Sequence, residues 1–317
     1  MVGIVILNYN NCRLTIDCFE SIEKWNSMDC KYVLVDNAST DNSLAHLDNY
    51  FSEKYTNQYQ RYQESSVKPE TLSRISLISS THNYGYARGN NLGCYLLEKD
   101  QEINYILILN NDTLFIQDIL PSMVKFLEMQ KDAGLISPLL QENHDGKIKY
   151  NSARENRKVG ELFAMYAHCG KIVEKYNKKH QVLLNNPALL DKDYTEIEVP
   201  TGACFMVRKD LFKEIGYFDP NTFLYFEENI LYKKTRMRNV RNYVLPKQKI
   251  IHLGQATTRK TNFNYFQECQ KAKSCYYYGI HYSGMSPLLK PLFVILYYWH
   301  LSLVSMKYFI KKVLKAR

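Results

Sequence analysis

The sequence predicts an α/β protein with a mainly parallel central sheet flanked by helices. Two patterns indicate this class: short apolar segments alternate with segments of helical periodicity over residues 1–138, and polar clusters rich in Asn, Asp and Gly follow each apolar segment. The length of 317 residues allows a large buried core. The mean hydropathy of −0.38 excludes a polytopic membrane protein. The 26 tyrosines and 14 phenylalanines exclude a disordered chain.

Four apolar segments of residues 1–138 are predicted strands, and three of them are followed by segments with helical periodicity. The first of these helical segments carries Leu14, Cys18 and Ile22, and the other two span 86–99 and 116–130. Ligands bind at the carboxyl edge of open α/β sheets, so the polar strand ends predict a ligand crevice at that edge. The predicted strands span 2–7, 31–35, 75–78 and 103–109.

The remaining segments have weaker patterns. Residues 52–73 predict an extended loop or frayed helix, and residues 139–195 predict an irregular, variable excursion. A Gly-containing strand over 199–207, a short helix over 209–215, a helix beginning near Tyr225 and a strand-like run ending at His252 follow. We therefore expect one domain over 1–255 and a C-terminal helical region over 256–317.

The charge is distributed unevenly along the chain. The formal net charge is +9, yet residues 229–317 carry 17 lysines and arginines against a single acid, Glu268. Such a basic region favours an anionic partner, either a membrane surface or nucleic acid, although a solvated basic face is the simpler alternative.

The pattern of the last helical segment favours a membrane surface over nucleic acid as the anionic partner. Within residues 287–317 an apolar and aromatic stretch precedes four lysines that share one face. We expect this helix to lie on an anionic membrane surface, the alternatives being packing in the core or the formation of an oligomer. The lysines are Lys307, Lys311, Lys312 and Lys315.

Cysteine usage predicts a reducing compartment. The eight cysteines include no C-x-x-C pair, which argues against a zinc site, and no secretory signal is visible at the amino terminus. We expect the catalytic part to be cytosolic.

Two loops after predicted strands carry candidate nucleotide-binding residues. Asp36 and Asn37 open a polar loop suited to a base edge and ribose, although this loop taken alone is better explained as a helix cap. In segment 83–91, Gly85 allows close backbone approach, and free N–H groups with Arg88 suit a phosphate. The glycine spacing is not G-x-G-x-x-G, which argues against a dinucleotide enzyme.

Three acidic or imidazole side chains are candidates for catalysis and metal binding. Asp112 follows a buried strand and could hold Mg²⁺ or Mn²⁺, or cap a helix. Glu227 and Glu228 follow an aromatic segment, where partial desolvation would raise the pKa of one carboxyl and suit it to act as a general base. A solvated pair in a first helical turn is the alternative. His252 ends a strand and is either a metal ligand or structural.

Taken together and in order, these segments resemble family 2 glycosyltransferases of the GT-A fold, in particular the bacterial branch that contains rhamnosyltransferases. The matching segments are 5–10, 35–41, 83–91, 109–112, 202–203, 216–219, 223–228 and His252.

The resemblance implies inverting transfer of a sugar from a UDP- or dTDP-sugar to a hydroxyl of a lipid-linked bacterial polysaccharide, with Mg²⁺ or Mn²⁺ as cofactor. It implies that Asp112 and His252 bind the metal and that Glu228, or its neighbour Glu227, is the catalytic base. The implied nucleotide-sugar site comprises Asn8, Tyr9, Asp36, Asn37, Asn83, Gly85, Arg88, Asn90, Asn110 and Asn111.

Two positions depart from the family pattern. Asn110-Asn111-Asp112 stands in place of D-x-D and leaves one metal carboxylate, while Glu227-Glu228 stands in place of Glu-Asp.

The resemblance also implies a peripheral location on the inner face of the cell membrane. A nucleotidyltransferase is the alternative, but Asn8-Tyr9-Asn10 lacks the Gly-rich, basic signature that it needs. No nucleic-acid-binding module is recognisable.

Overall fold

A ten-stranded sheet forms the centre of the protein in a computed structural model that describes residues 1–66, 72–143, 145–254 and 264–315. The strands of the described chain are β1 (Val2–Asn8), β2 (Cys30–Asp36), β3 (Tyr59–Gln63), β4 (Ile75–Ser79), β5 (Tyr105–Asn110), β6 (Thr113–Phe115), β7 (Ala133–Gln141), β8 (Ala153–Arg154), β9 (Thr195–Ile197), β10 (Val199–Pro200), β11 (Cys204–Arg208) and β12 (Arg241–His252). Ten of them form the central sheet, and β8 and β10 pair with each other in a separate two-stranded sheet. The helices are α1 (Cys12–Trp25), α2 (Ser43–Lys54), α3 (Gly85–Glu98), α4 (Leu120–Met129), α5 (Val159–Tyr166), α6 (Gly170–Lys179), α7 (Val182–Asn185), α8 (Lys209–Glu214), α9 (Glu227–Met237), α10 (Tyr265–His281) and α11 (Lys290–Lys315).

The strand order of the sheet is β3-β4-β2-β1-β5-β11-β7-β12-β6, and β9 also pairs with β12. The pairs from β3 to β5 are all parallel, as is β7 with β12, whereas β11 lies antiparallel between β5 and β7. The predicted class, a mainly parallel sheet flanked by helices with a C-terminal helical extension, is confirmed.

Both faces of the sheet are covered by helices. Strands β1, β2 and β5 are buried along most of their length, which explains why they read as continuous apolar runs. In α1, Leu14, Cys18 and Ile22 recur every four residues and form part of the buried face.

Described parts of two segments that the sequence predicted to be irregular form regular helices and strands. Residues 52–73 contain the end of α2 and strand β3, an edge strand in which Tyr62 alone is buried, so no apolar run marked it. Residues 139–195 contain the end of β7, strand β8 and helices α5 to α7. None of residues 171–179 of helix α6 is buried, so its sequence carried no clear period.

The C-terminal helices pack on the rest of the chain through an aromatic cluster. Tyr166 of α5, Phe226, Tyr278 of α10 and Phe293 of α11 belong to one buried group of side chains. A side chain at Gly279 would overlap the Phe293 ring, so this glycine sets how closely α10 and α11 approach. The expected domain boundary at 255/256 falls outside the described residues.

Candidate active site

The carboxyl ends of the parallel strands bring the predicted polar residues to one edge of the sheet. Asn8 at the end of β1 lies beside Asp36 at the end of β2, and Leu7 lies beside Asn110 at the end of β5. Because register is fixed along these strands, the three polar residues meet although they are far apart in sequence.

Two of the predicted residues, Asn8 and Asp36, form a buried network below the crevice. The Asn8 amide donates to Asp36 Oδ1 at 2.8 Å, and the backbone N–H of Ser39 donates to Asp36 Oδ2 at 3.1 Å. Thr15 donates to Asn8 Oδ1 at 2.7 Å and accepts from Asn111 Nδ2 at 3.0 Å. Asp36 is 1% exposed, so in this structure it fixes the loop after β2.

A second set of amide contacts shapes the start of α3. Asn37 Nδ2 donates to Asn83 Oδ1 at 3.0 Å and to the carbonyl of Gly85 at 3.1 Å, while its Oδ1 accepts from the N–H of Tyr84 at 3.0 Å. Gly85 has φ +74°, and a side chain there would overlap the backbone of Phe223. This position therefore requires glycine for its backbone conformation and for the close approach.

A cavity of about 620 Å³ opens between these elements, and we call it the strand-end cavity. Predicted site residues line it, together with residues of the 223–224 turn and of the first turn of α10. The predicted ones are Tyr9, Asn37, Asn83, Gly85, Asn110, Asn111 and Asp112. The residues that sequence reasoning missed are Leu7, Tyr86, Phe223, Leu224, Asn264, Phe266 and Gln267.

Arg88 and Asn90 do not line the strand-end cavity. Arg88 is exposed, and its guanidinium lies 4.5 Å from the centre of the Tyr84 ring. Asn90 is buried and donates to the carbonyl of Tyr86 one turn earlier at 2.9 Å. Helix α3 turns its Gly89 and Gly93 side toward β1, and this orientation directs Arg88 to solvent.

Asp112, which lines the strand-end cavity, lies beside His252. Strands β6 and β12 pair antiparallel with Thr113 opposite His252, and Asp112 Oδ1 lies 3.2 Å from His252 Nε2. The Nδ1 atom of His252 is buried without a hydrogen-bond partner among the described residues. Within the same part of the chain no group of three or more His, Cys, Asp and Glu side chains could hold a metal. A carboxylate and an imidazole suit Mn²⁺ or Mg²⁺ when the substrate supplies further oxygen ligands.

The two glutamates begin α9 directly after a strained turn. Tyr225 and Phe226 have φ of +77° and +70°, which non-glycine residues adopt rarely. The Phe226 ring packs on Tyr278 of α10 at 5.3 Å between centroids, and this packing holds the turn.

The two carboxyl groups have different surroundings. Glu227 is 4% exposed and its Oε1 has no hydrogen-bond partner among the described residues. Burial, followed by the charge of Glu228, raises the pKa of Glu227 well above its usual range. The Glu228 side chain is 20% exposed, and its Oε2 lies 3.7 Å from Arg154 Nη2. Gly202 lies against Glu228 so closely that a side chain there would overlap Oε1.

Both glutamates line a second cavity of about 300 Å³, which we call the carboxylate cavity. It shares Tyr86, Asn110 and Leu224 with the strand-end cavity, and His252 also lines it. The Tyr86 hydroxyl donates to the carbonyl of Gly202 at 2.5 Å. The possible metal ligands and the carboxylate pair therefore face adjoining spaces.

The chain belongs to glycosyl transferase family 2. The model of this family, described as "Glycosyl transferase family 2", matches residues 3–216, which is more than half of the chain.

One curated relative is the low-salt glycan biosynthesis hexosyltransferase Agl10 of Haloferax volcanii, which is 24% identical over 168 residues. That match covers 52% of this chain and 48% of the relative, so the chain matches about half the length of that protein.

Solved structures share the GT-A fold. The mannosyltransferase PcManGT from Pyrobaculum calidifontis, solved with GDP-Man and Mn²⁺, has a TM-score of 0.56 at 15% identity, over 96% of this chain and 73% of that chain. S. aureus TarS 1-349, solved with UDP, has a TM-score of 0.51 at 13% identity, over 92% of this chain and 69% of that chain. At these sequence identities the similarity shows a shared fold and nothing more specific.

Proposed function

We propose that this protein is an inverting glycosyltransferase, which moves a sugar from a nucleoside diphosphate donor to a hydroxyl group of an acceptor glycan. The observation that carries the proposal is the adjacency of the two cavities. The strand-end cavity is lined by Asp112 and polar amides, the carboxylate cavity is lined by Glu227 and Glu228, and both share Tyr86. A transferase needs its donor and acceptor sites to meet in this way at the reacting carbon.

The strand-end cavity suits a nucleoside diphosphate sugar. The amides of Asn37 and Asn83 shape one wall, and Tyr9 and Phe266 offer rings to the base or the sugar. Relatives of the same fold were solved with GDP-Man and with UDP, which supports a nucleotide-sugar donor. We expect a UDP- or dTDP-sugar.

Asp112 and His252 fit a divalent cation, Mg²⁺ or Mn²⁺. Asp112 Oδ1 and His252 Nε2 lie close enough to share one ion, and PcManGT was solved with Mn²⁺. When bound, such an ion neutralises the charge that develops on the departing diphosphate. Asp112 and His252 would hold the ion, and oxygens of the donor diphosphate would supply its further ligands.

Glu228 is the proposed catalytic base. Its carboxylate removes the proton of the acceptor hydroxyl, whose oxygen bonds to the anomeric carbon as the bond from that carbon to the diphosphate oxygen breaks. Glu227 does not serve this purpose, because its raised pKa keeps the carboxyl protonated near neutral pH. In this proposal the acceptor oxygen displaces the diphosphate directly, so the configuration of the anomeric carbon is inverted.

The acceptor is proposed to be a lipid-linked bacterial surface glycan. The span Pro287–Leu314 is long and apolar enough to cross a membrane, and 17% of its most apolar window is buried. Its outward side carries Leu292, Ile295 and Trp299 at 50%, 64% and 58% exposure. We propose that this side rests on the inner face of the cell membrane, the alternative being contact with a second copy of the chain.

Binding of nucleoside diphosphates tests the donor and metal assignments together. We expect one of UDP, dTDP and GDP to raise the melting temperature in the presence of Mn²⁺ or Mg²⁺, and Asp112→Ala to remove this metal-dependent rise. The matched control is Asp193→Ala, an exposed aspartate paired with Lys247. Stabilisation of Asp112→Ala equal to that of the wild type would refute the metal assignment. A protein that binds none of the three nucleotides would refute the proposed function.

A further inference from the structure

Three basic side chains line the carboxylate cavity beside Glu228. Arg154 is the last residue of β8, Arg157 comes from the segment that follows β8, and Lys271 comes from α10. Both arginines lie in the part of the chain that the sequence predicted to be irregular, and none of the three residues has a task in the proposed transfer step.

These three cations have few partners. Arg154 Nη2 lies 3.7 Å from Glu228 Oε2, and Arg154 Nε is buried without a hydrogen-bond partner in the described chain. Arg157 donates to Asn177 Oδ1 at 2.8 Å and forms no ion pair with any described residue. The Lys271 ammonium forms neither an ion pair nor a side-chain hydrogen bond within residues 1–66, 72–143, 145–254 and 264–315.

The arginines are held in place by Asn156, which lies between them. Its N–H donates to Glu198 Oε2 at 2.6 Å, and its amide donates to the Tyr278 hydroxyl at 2.8 Å. Asn229, the residue after Glu228, donates to Asn156 Oδ1 at 2.7 Å. The segment that carries the arginines is therefore tied directly to the helix that carries the base.

The charges on this wall do not balance. Burial, followed by the charge of Arg154, lowers the pKa of Arg157 below its usual value, as expected for two cations close together in a partly desolvated space. Two acidic side chains lie near these cations: Glu228 beside Arg154, and Glu161, whose charge acts on Arg157. Counted formally, the three cations exceed these two acids by about one positive charge, which is the charge that one phosphodiester group would neutralise. Arginine forks also match phosphate oxygens well.

We propose that Arg154, Arg157 and Lys271 bind a phosphate group of the acceptor next to the hydroxyl that reacts. This inference rests on the proposed function and names the acceptor class, a phosphate-bearing glycan. A third cavity of about 410 Å³ shares Met165 and Lys271 with the carboxylate cavity and extends along α11 through Leu303 and Val304. A phosphate that joins a lipid to the glycan would have room for its lipid on that side.

Phosphate binding with the nucleotide site filled tests the proposal. The protein is saturated with Mg²⁺ and the nucleoside diphosphate that binds it best, and inorganic phosphate or farnesyl phosphate is then titrated by calorimetry. We expect binding of both probes, at least tenfold weaker in Arg154→Gln and Arg157→Gln and partly restored in Arg157→Lys. Arg61→Gln, which removes an arginine paired with Asp48 away from the site, serves as the control and should bind like the wild type. Tighter binding of farnesyl phosphate than of inorganic phosphate would identify a lipid phosphate, and equal binding would identify a phosphate on the glycan.

Two outcomes would overturn the proposal. One is phosphate affinity in Arg154→Gln and Arg157→Gln equal to that of the wild type. The other is an equal loss of nucleoside diphosphate affinity in these variants, because the arginines would then serve the donor. Nucleotide binding is also measured without phosphate, and this measurement tests the proposed function by itself. A failure of the proposed function can therefore be distinguished from a failure of the phosphate proposal. Melting temperatures of the variants show that they are folded.

Discussion

At the scale of single residues, the site depends on two adjacent glutamates with opposite properties. Glu227 is buried and its pKa is raised, whereas Glu228 reaches the cavity and lies near Arg154. The helix turns by about 100° between neighbouring residues, so adjacent side chains face different surroundings. This difference is the reason that we propose Glu228, and not Glu227, as the residue that accepts the proton.

Replacement of Glu228 by glutamine should remove catalysis and leave donor binding intact. Glutamine keeps the shape of the side chain but cannot accept the proton, so we expect kcat to fall about 10²–10⁴-fold. Donor hydrolysis or transfer is measured together with nucleotide affinity. Glu227→Gln is the matched variant and should retain most of the activity, since glutamine resembles the protonated carboxyl. The reverse result would make Glu227 the base.

The raised pKa of Glu227 predicts how stability depends on pH. A folded-state pKa above the usual value of 4.5 means that the folded protein resists ionisation of this group, so its contribution to stability is full below pH 4.5 and is lost as the pH rises toward the folded-state pKa. Glutamine does not ionise. We therefore expect Glu227→Gln to melt like the wild type near pH 4 and at least about 3 °C higher near pH 8.

The control for this measurement is Glu174→Gln, because the side chain of Glu174 is 68% exposed. Its melting temperature should follow that of the wild type at every pH. A Glu227→Gln variant that is less stable than the wild type at pH 8 would contradict the assignment of a protonated carboxyl.

At the scale of elements, the turn between β10 and β11 positions Glu228, the proposed catalytic base. Gly202 in this turn accepts a hydrogen bond from Tyr86 and leaves room for the Glu228 carboxylate. Strand β11 holds the turn, because it pairs antiparallel with β5 and lies in the middle of the sheet. Sequence reasoning expected one strand over 199–207, and the structure interrupts it at this turn.

Substitution of Gly202 by alanine should inactivate the protein without unfolding it. The added methyl group would overlap Glu228 Oε1, the end of a flexible side chain that can move away, so the fold tolerates the change while the base is displaced. We expect at least a tenfold loss of kcat and little change in melting temperature. Gly160→Ala is the matched control, because its side chain would meet nothing within 4 Å. Full activity of Gly202→Ala would show that the position of Glu228 does not limit the rate.

At the scale of the whole molecule, α11 has two different sides. Phe293 and Tyr297 are buried against α5 and α10, whereas Leu292, Ile295 and Trp299 point outward. Burial of each large apolar side chain contributes roughly 1.5–3 kcal/mol to folding. Deletion of the helix would therefore disturb the fold together with any membrane contact, and substitutions on the outer side are the cleaner test.

Polar substitutions on the outer side of α11 should release the protein from membranes. We expect the triple variant Leu292→Gln, Ile295→Gln, Trp299→Gln to lose most of its sedimentation with vesicles of 30% anionic phospholipid, because apolar insertion supplies much of the binding free energy. A triple variant at other exposed apolar residues, Met129→Gln, Leu184→Gln, Tyr194→Phe, is the control and should still sediment. Unchanged sedimentation of the α11 variant would contradict the membrane proposal. A wild-type protein that does not bind vesicles, together with a change from dimer to monomer in the α11 variant, would also contradict it.

The sequence by itself determined the parallel sheet, the polar strand ends and the family, because apolar runs and ordered polar clusters are local signals. It did not reveal β3 or helices α5 to α7. Strand β3 has one buried residue, α6 buries none of residues 171–179, and α5 and α7 have eight and four residues, too few to show a clear period. Only the tertiary structure decided that Asn8 and Asp36 are buried, that Arg88 faces solvent, and that Arg154 and Arg157 lie beside Glu228. Those facts depend on packing between segments far apart in the chain, and no local pattern of residues encodes which distant surfaces will meet.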